Sequence, residues 1–271
     1  MRLPFIATVF ILFCSITSSA QSKLGDVASV YITTTDLDSS VACYEKLGFN
    51  KIGSNTFPFP WAQVSDGSLL IMMRKDAVPY IGLTYYVNDI DKTVAQLEKD
   101  SIVFAQKPRA GDPIKRYLIK SPDGFNIALV SNIGNFQQPK GITMLNMKPA
   151  DYASAEKYPN QQCGVFGEFC HPVMDIAVSV AFWKKLGFTE KGGMKGSEAY
   201  SIVSDGLMII GLHQTKEFNY PAITYFGINA AKRIQQLKDK GLNNLTEMRD
   251  KNNVVLKTWE QQHIFIFSFG M

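Results

Sequence analysis

Short apolar stretches alternate with amphipathic segments along this chain. Residues 29–33 are rich in β-branched and aromatic side chains, which favours a strand. Asp36 then predicts a helix start, because its carboxylate can accept hydrogen bonds from the free N–H groups of the first turn. Gly48 predicts the end of that helix. Between Asp36 and Gly48, apolar residues at spacings of four, three and three predict one buried face of this helix: Leu37, Val41, Tyr44 and Leu47.

Two further strands are predicted beyond this helix, around residues 61–64 and 69–73. Asp66-Gly67 lies between them and is a strong signal for a tight hairpin. Another strand begins the next such segment. The unit therefore has the order strand, helix, strand, strand, strand.

This unit is repeated. Residues 36–49 (DLDSSVACYEKLGF) match residues 175–188 (DIAVSVAFWKKLGF) at an offset of 139, and VSDG at 64–67 recurs at 203–206 with the same offset. Thr84-Tyr85 recurs as Thr224-Tyr225. A weaker copy, DIDKTVAQLEK, starts at Asp89, and a fourth copy near residues 225–242 lacks the acidic start. Four modules of about 50 to 60 residues predict two similar domains in tandem.

We place the first domain at residues 25–132, a proline-containing linker at 133–162 with a short helical turn near residues 153–157, and the second domain at 163–271.

Residues 1–20 have the layout of a cleavable secretory signal: Arg2, an apolar run over residues 5–13, and small residues up to Ala20. The run is shorter than the roughly 20 residues that span a bilayer. We therefore expect a secreted or periplasmic protein without a membrane span, with a lipoprotein signal ending at Cys14 as the alternative.

The net charge of +4 and the 46% hydrophobic content predict neither a nucleic-acid nor a membrane partner. Three cysteines follow the signal: Cys43, Cys163 and Cys170. Cys43 is expected to pack within a helix, and Cys163 with Cys170 is the one plausible disulfide. The sequence leaves a homodimer open.

The module order, the EKLGF helix end and the SPDG turn at residues 121–124 before a strand over 125–130 resemble the vicinal-oxygen-chelate (VOC) superfamily. That superfamily includes glyoxalase I, extradiol dioxygenases, and fosfomycin- and bleomycin-resistance proteins. The resemblance implies an α+β fold with two tandem VOC domains. Each domain would pair two βαβββ modules into a cupped half-barrel sheet, and the functional site would lie in its cleft.

Enzymes of this superfamily usually hold a divalent metal with His, Gln or Glu at fixed strand positions, which leaves coordination sites open for substrate oxygens. In domain 1 those positions fall on four residues that make poor ligands, so we expect it to be metal-free: Ser29, Met72, Gly82 and Ala128. In domain 2, Glu168 takes the position of Ser29, and His213 lies two residues beyond the nominal position at Gly211. The remaining two positions fall on apolar residues, Ala222 and Phe267.

Because this ligand set is incomplete, the first hypothesis is a binding protein that holds a small, largely apolar molecule in a sheet cleft without any cofactor. Five strand aromatics would divide between core and cleft: Tyr31, Trp61, Tyr86, Tyr200 and Phe267. The predicted ligand-binding residues are Ser29, Tyr31, Trp61, Met72, Tyr86, Glu168 and His213; no catalytic residue is identified.

The alternative is a divalent-metal-dependent lyase, isomerase or dioxygenase whose active cleft is in domain 2, with the metal at Glu168 and His213. A plainer interpretation of Glu168 is a carboxylate at a strand mouth that is solvated or paired with a lysine.

Overall fold

A computed structural model of the chain describes residues 22–196, 199–247 and 253–269. The predicted signal segment, residues 1–20, lies outside the described residues. Domain 1 is built from seven strands and two helices: β1 (Val27–Thr34), α1 (Leu37–Lys46), β2 (Asn50–Asn55), β3 (Trp61–Ser65), β4 (Leu70–Lys75), β5 (Ile81–Val87), α2 (Ile90–Lys99), β6 (Arg116–Lys120) and β7 (Asn126–Ser131).

Domain 2 repeats this plan with eight strands and two helices among its described residues: β8 (Val165–Pro172), α3 (Ile176–Lys185), β9 (Thr189–Met194), β10 (Tyr200–Ser204), β11 (Ile209–His213), β12 (Ala222–Gly227), α4 (Ala230–Asp239), β13 (Leu245–Glu247), β14 (Val254–Lys257) and β15 (His263–Ser268).

Each domain forms one mixed sheet in which the first strands of its two modules are antiparallel neighbours at the centre. The strand order is β2-β3-β4-β1-β5-β7-β6 in domain 1 and β13-β14-β15-β12-β8-β11-β10-β9 in domain 2. The first strand of a module also pairs in parallel with the last strand of the same module, as β1 does with β4. The α+β class with two tandem domains of paired modules is therefore confirmed.

The second module of domain 1 departs from the predicted order, because only two strands follow α2. The missing strand is reduced to an isolated bridge between Gln106 and Leu118. Pro108 and Pro113 lie in this segment, and a proline has no N–H to donate to a sheet ladder. This accounts for the shortened pairing.

Aspartates begin three of the four described helices, as predicted. Asp36 accepts hydrogen bonds from the backbone N–H groups of Asp38 and Ser39, and Asp89 and Asp175 cap α2 and α3 in the same way. α4 begins instead at Asn229, whose φ is 56° and whose side chain makes no capping hydrogen bond. Gly48 follows the end of α1 with φ 88°, a left-handed conformation that glycine adopts without a Cβ clash.

The linker contains two short 3₁₀ turns, at Pro149–Asp151 and Ala155–Lys157. Cys43, Cys163 and Cys170 are all free thiols, so the disulfide considered above is not formed. The Cys163 thiol instead donates to the Leu47 carbonyl at 3.4 Å. Among the described helices, none is long and apolar enough to cross a membrane.

One hydrophobic core joins the two domains. The helices pack on one face of each sheet, and the buried cluster there includes residues of both domains, such as Phe125 and Phe169, whose ring centroids are 5.6 Å apart. The opposite face of each sheet carries separate small clusters, centred on Met72 and Tyr86 in domain 1 and on Cys170 and Phe265 in domain 2. We call these opposite faces the cleft faces.

Two reciprocal hydrogen bonds cross between the domains. The Tyr225 hydroxyl donates to Asp66 Oδ2 at 2.5 Å, and the Tyr85 hydroxyl donates to Asp205 Oδ2 at 2.9 Å. Burial and the neighbouring carboxylates raise the pKa of both tyrosines well above its usual range. The repeated VSDG and Thr-Tyr segments thus supply the two sides of the same contact, each domain's aspartate bonding to the other domain's tyrosine.

Candidate functional site

Three residues with metal-ligating atoms converge on the cleft face of domain 2. Glu168 and Cys170 are two residues apart in β8, which places both on one face of the strand, and His213 is at the end of β11. One ligand atom from each lies within 4.8 Å of the others. Glu168 Oε1 is 2.8 Å from His213 Nε2.

Gly211 makes room for this arrangement. A Cβ added there would overlap both carboxylate oxygens of Glu168, so the acidic side chain lies directly over the glycine backbone. β11 runs parallel to β8 with Gly211 beside Cys170. The absence of a side chain at Gly211 gives the Glu168 carboxylate room to lie over the backbone and contact His213.

The residues that lie across the sheet from Glu168 are not the ones that the sequence predicted. Across the sheet Glu168 is opposite Thr224, and Thr224 is opposite Phe265, so Ala222 and Phe267 do not belong to the row that contains Glu168. Thr224 Oγ1 is buried and has no hydrogen-bond partner among the described residues. An unpaired hydroxyl beside a carboxylate is costly to bury unless it has a partner that the protein atoms do not supply.

The cluster is largely removed from water. The Glu168 side chain is 8% exposed and that of His213 is 25% exposed. Tyr200 stacks on the His213 ring at 5.7 Å between centroids, and Phe218 packs against it at 5.8 Å. Burial, followed by the charge of Glu168, raises the pKa of the Cys170 thiol far above its usual range. Cys170 therefore keeps its proton unless a cation replaces it.

The other two histidines lie elsewhere. His171 is on the core face of β8 against Phe125, at 4.7 Å between ring centroids, and burial lowers its pKa to about 4. His263 stacks on Tyr220 at 3.5 Å, and burial followed by the charge of Lys257 lowers its pKa to about 4. Neither joins the donor cluster.

Most of the predicted ligand-binding residues of domain 1 line a cavity of about 670 Å³ on its cleft face: Tyr31, Trp61, Met72 and Tyr86. Ser29 is fully buried beside it, opposite Thr84, which does contribute to the lining. The expectation that the five strand aromatics divide between the core and the cleft is wrong. Tyr31, Trp61 and Tyr86 face the cleft here, as Tyr200 and Phe267 do in domain 2, because the core positions are taken by their neighbours in sequence.

No family model and no curated relative matches the sequence. Solved structures do match. The 2,3-dioxygenase LapB from Pseudomonas sp. KL28 has 14% identity and a TM-score of 0.54, over 92% of this chain and 94% of that one. Homoprotocatechuate 2,3-dioxygenase from Arthrobacter globiformis has 15% identity and a TM-score of 0.57, over 97% and 84%. The Mn(II)-bound glyoxalase from Novosphingobium aromaticivorans has 16% identity and a TM-score of 0.54, over 91% and 83%.

These similarities confirm the resemblance to the VOC superfamily at the level of the fold. They extend over nearly all of the chain, including both domains. At this level of sequence identity they establish the architecture and leave the chemistry to be argued from the residues of the site.

The prediction that the protein has no cofactor is wrong. It rested on an incomplete set of superfamily ligands around Glu168 and His213, and Cys170 was not considered as a third donor. The structure brings these three side chains together in a space that Gly211 leaves open, and one of the structures with this fold is Mn(II)-bound. The donor set therefore points to a metal.

Proposed function

We propose that the domain 2 cleft binds a divalent metal through Glu168, His213 and Cys170, and that the protein is a metal-dependent enzyme acting on a small molecule. The observation that carries this proposal is the convergence of the three ligand atoms within 4.8 Å. A carboxylate oxygen, an imidazole nitrogen and a thiolate sulfur suit metals of the Mn²⁺ to Zn²⁺ series.

Three protein ligands leave coordination positions free, and a metal bound this way supplies Lewis-acid chemistry to a substrate oxygen. The chain's own residues set the conditions. Glu168 brings a negative charge that favours a cation, while the rings of Tyr200 and Phe218 exclude water and strengthen that attraction. Thr224 Oγ1, which has no hydrogen-bond partner among the described residues, can donate to a ligand oxygen beside Glu168.

Two reaction classes suit this site: proton transfer next to a carbonyl, as in a lyase or isomerase, and ring cleavage by a dioxygenase. Homologous folds in the solved structures belong to 2,3-dioxygenases and a glyoxalase. In both classes a metal with adjacent open positions can hold two neighbouring oxygens of the substrate. The site supports the metal-dependent class and does not favour one of the two reactions.

Metal analysis of the purified protein tests the proposal. The protein is stripped with a chelator, incubated separately with Mn²⁺, Fe²⁺, Ni²⁺ and Zn²⁺, desalted and analysed by mass spectrometry for bound metal. We expect about one ion per chain with at least one of the four metals. Glu168→Ala and His213→Ala should each lower the metal affinity about tenfold or more, because losing a direct ligand should cost no less than losing a residue that supports one, which typically costs roughly 10–100-fold.

His263→Ala is the matched control, because His263 is in the same sheet but outside the cluster. It should retain the wild-type metal content. Less than 0.1 ion per chain with every metal, or equal losses in the His263 and His213 variants, would overturn the proposal. Oxygen uptake with homoprotocatechuate by the loaded protein then separates the dioxygenase class from the other.

We also propose that the protein is exported, on the basis of the charged, apolar and small-residue order of residues 1–20. Expression of the full chain in a Gram-negative host, followed by N-terminal sequencing of the periplasmic fraction, should give a mature chain beginning at Gln21. A full-length chain confined to the cytoplasm would contradict export.

A further inference from the structure

The cleft face of domain 1 contains a cavity that the proposed metal site does not use. Its volume is about 670 Å³, within the usual range for small-molecule sites. Three aromatic side chains form one wall: Phe136 packs edge-on against Trp61 at 5.7 Å and against Tyr86 at 4.6 Å between ring centroids. Met72 extends this apolar surface along β4.

Two apolar side chains at this cavity are left in water. Phe57 is 78% exposed and Ile133 is 66% exposed, and both contribute to its lining. Exposed large apolar groups that converge on one cavity are typical of a surface that a ligand covers. The wall and the rim therefore favour a molecule with a sizeable apolar part.

Two arginines add positive charge to the same cavity. Arg74 is on β4, two residues after Met72 and thus on the same face, and Arg116 begins β6. Both guanidinium groups act on the Tyr31 hydroxyl and oppose the rise in its pKa that burial causes. Both arginines therefore belong to the lining that contains Tyr31, although they lie on two different strands.

Part of the hydrogen-bonding capacity of Arg74 is unused. One terminal nitrogen contacts Asp76 at 3.2 Å, and the guanidinium lies 4.3 Å above the Phe59 ring centroid. Its Nε, however, is buried without a hydrogen-bond partner among the described residues. The rest of the guanidinium, whose side chain is 35% exposed, lines the cavity, and a carboxylate is the anion whose planar geometry fits a guanidinium.

Among the lining residues that the structure describes, Asp112 is the one acidic side chain, and its Oδ2 already accepts a hydrogen bond from the Arg109 backbone N–H at 2.7 Å. Arg74 and Arg116 belong to the same lining, so its two cationic side chains outnumber its one acidic side chain, and the Asp76 carboxylate that pairs with Arg74 lies outside the lining. The cavity is thus complementary to an anion with an apolar body.

We propose that domain 1 binds an organic carboxylate with an aromatic or long aliphatic body in this cavity. The carboxylate contacts Arg74 and Arg116, and the apolar body lies against Trp61, Tyr86 and Phe136. This site is separate from the metal cluster of domain 2, so the two proposals stand or fall independently.

Isothermal titration calorimetry on the chelator-treated full chain tests this proposal with three probes: 2-naphthoate, 2-naphthamide and dodecanoate. At least one carboxylate should bind with one site per chain. 2-Naphthoate should bind at least tenfold more tightly than 2-naphthamide, which has the same ring system without the charge.

Substitutions then locate the anion. Arg74→Met and Arg116→Met should each weaken carboxylate binding about tenfold and leave amide binding within twofold. Arg109→Met, which removes an exposed arginine outside the cavity lining, should change neither. If Arg74→Met fails to fold, the exposed Arg116 position still tests the proposal.

The Glu168→Ala/His213→Ala double variant distinguishes the two sites, because it should bind 2-naphthoate as the wild type does. Loss of naphthoate binding in that variant would place the ligand in domain 2 and overturn the proposal. So would equal affinities for naphthoate and naphthamide, equal effects of the Arg109 and Arg116 substitutions, or the absence of binding by either carboxylate at millimolar concentration.

Discussion

Removing one hydroxyl from the domain interface provides a quantitative test of how the two domains are joined. Tyr225→Phe deletes the donor to Asp66 Oδ2 and leaves that oxygen with Asn160 Nδ2 at 3.3 Å. A hydrogen bond to a charged group contributes about 1.5 to 3 kcal/mol, and the carboxylate stays buried. We expect the variant to lower the free energy of unfolding by about 2 kcal/mol.

The reciprocal substitution Tyr85→Phe should cost less, about 1 kcal/mol. Asp205 Oδ2 still accepts a strong hydrogen bond from the Ser22 hydroxyl at 2.6 Å. Urea unfolding followed by both circular dichroism and tryptophan fluorescence measures the two costs. Because the buried core is continuous between the domains, both probes should report one transition.

Tyr117→Phe is the control, because Tyr117 is a half-buried surface tyrosine of β6. It should change the free energy of unfolding by less than about 0.5 kcal/mol. The reasoning is refuted if Tyr225→Phe costs no more than this control, or if Tyr85→Phe costs more than Tyr225→Phe. Two separate transitions in the wild type would refute the joint core.

Three further predictions concern the site and the core. Gly211→Ala places a Cβ against the Glu168 carboxylate, must displace it, and should lower metal uptake, whereas Gly192→Ala, which meets no atom within 4 Å, should leave it unchanged. Cys170→Ser should weaken Zn²⁺ binding more than Mn²⁺ binding, measured by competition with a metal indicator, since sulfur ligands favour the softer ion; equal losses would argue against Cys170 as a ligand. Burial lowers the pKa of His171 from 6.5 to about 4 in the folded protein. As the pH falls, the unfolded chain therefore takes up a proton at this residue before the folded chain does, and the free energy of unfolding decreases between about pH 6.5 and pH 4. His171→Leu should remove about 2 to 3 kcal/mol of that loss between pH 7.5 and 4.5, measured by urea unfolding, and an unchanged loss would exclude His171 as its source.

The repeated modules could be predicted from sequence because each carries its own local signals. Asp36 and Asp175 mark helix starts through hydrogen bonds within one turn, and Asp66-Gly67 marks a hairpin. Such contacts depend on residues two or three apart, so they are visible in a linear pattern. The alternation of apolar and polar residues then predicted which side chains of each strand face the core.

The cross-strand neighbours of Glu168 could not be predicted in the same way, because they depend on the length of every intervening segment. Ser29 aligns with Glu168 at an offset of 139, but Ala128, which is opposite Thr84, corresponds to Phe265, at an offset of 137. The fixed offset pointed to Phe267. From Glu168 to Thr224 domain 2 is one residue longer than domain 1, and from Thr224 to Phe265 it is three residues shorter. The row is therefore displaced by two positions without any local sign in the sequence.

Two groups of residues in the proposed sites were missed for different reasons. Cys170 is not one of the usual ligands of the superfamily, although its spacing of two from Glu168 was enough to place it on the same face. Arg74 and Arg116 are distant in sequence and meet only because β4 and β6 border one cavity. The spacing of Cys170 from Glu168 is visible in the sequence, whereas the pairing of Arg74 with Arg116 depends on the fold.

The alternation of each strand between a core face and a cleft face separates the constraints on stability from those on binding. Tyr85 bonds across to the partner domain, while its neighbour Tyr86 lines the cavity. Substitutions at the cleft-facing positions of a strand can therefore change which ligand the cleft binds, while the core-facing positions between them stay the same. After the duplication, one cleft could acquire arginines and the other a carboxylate, an imidazole and a thiol, and protein engineers can redesign the two clefts as independent sites within one cooperative fold.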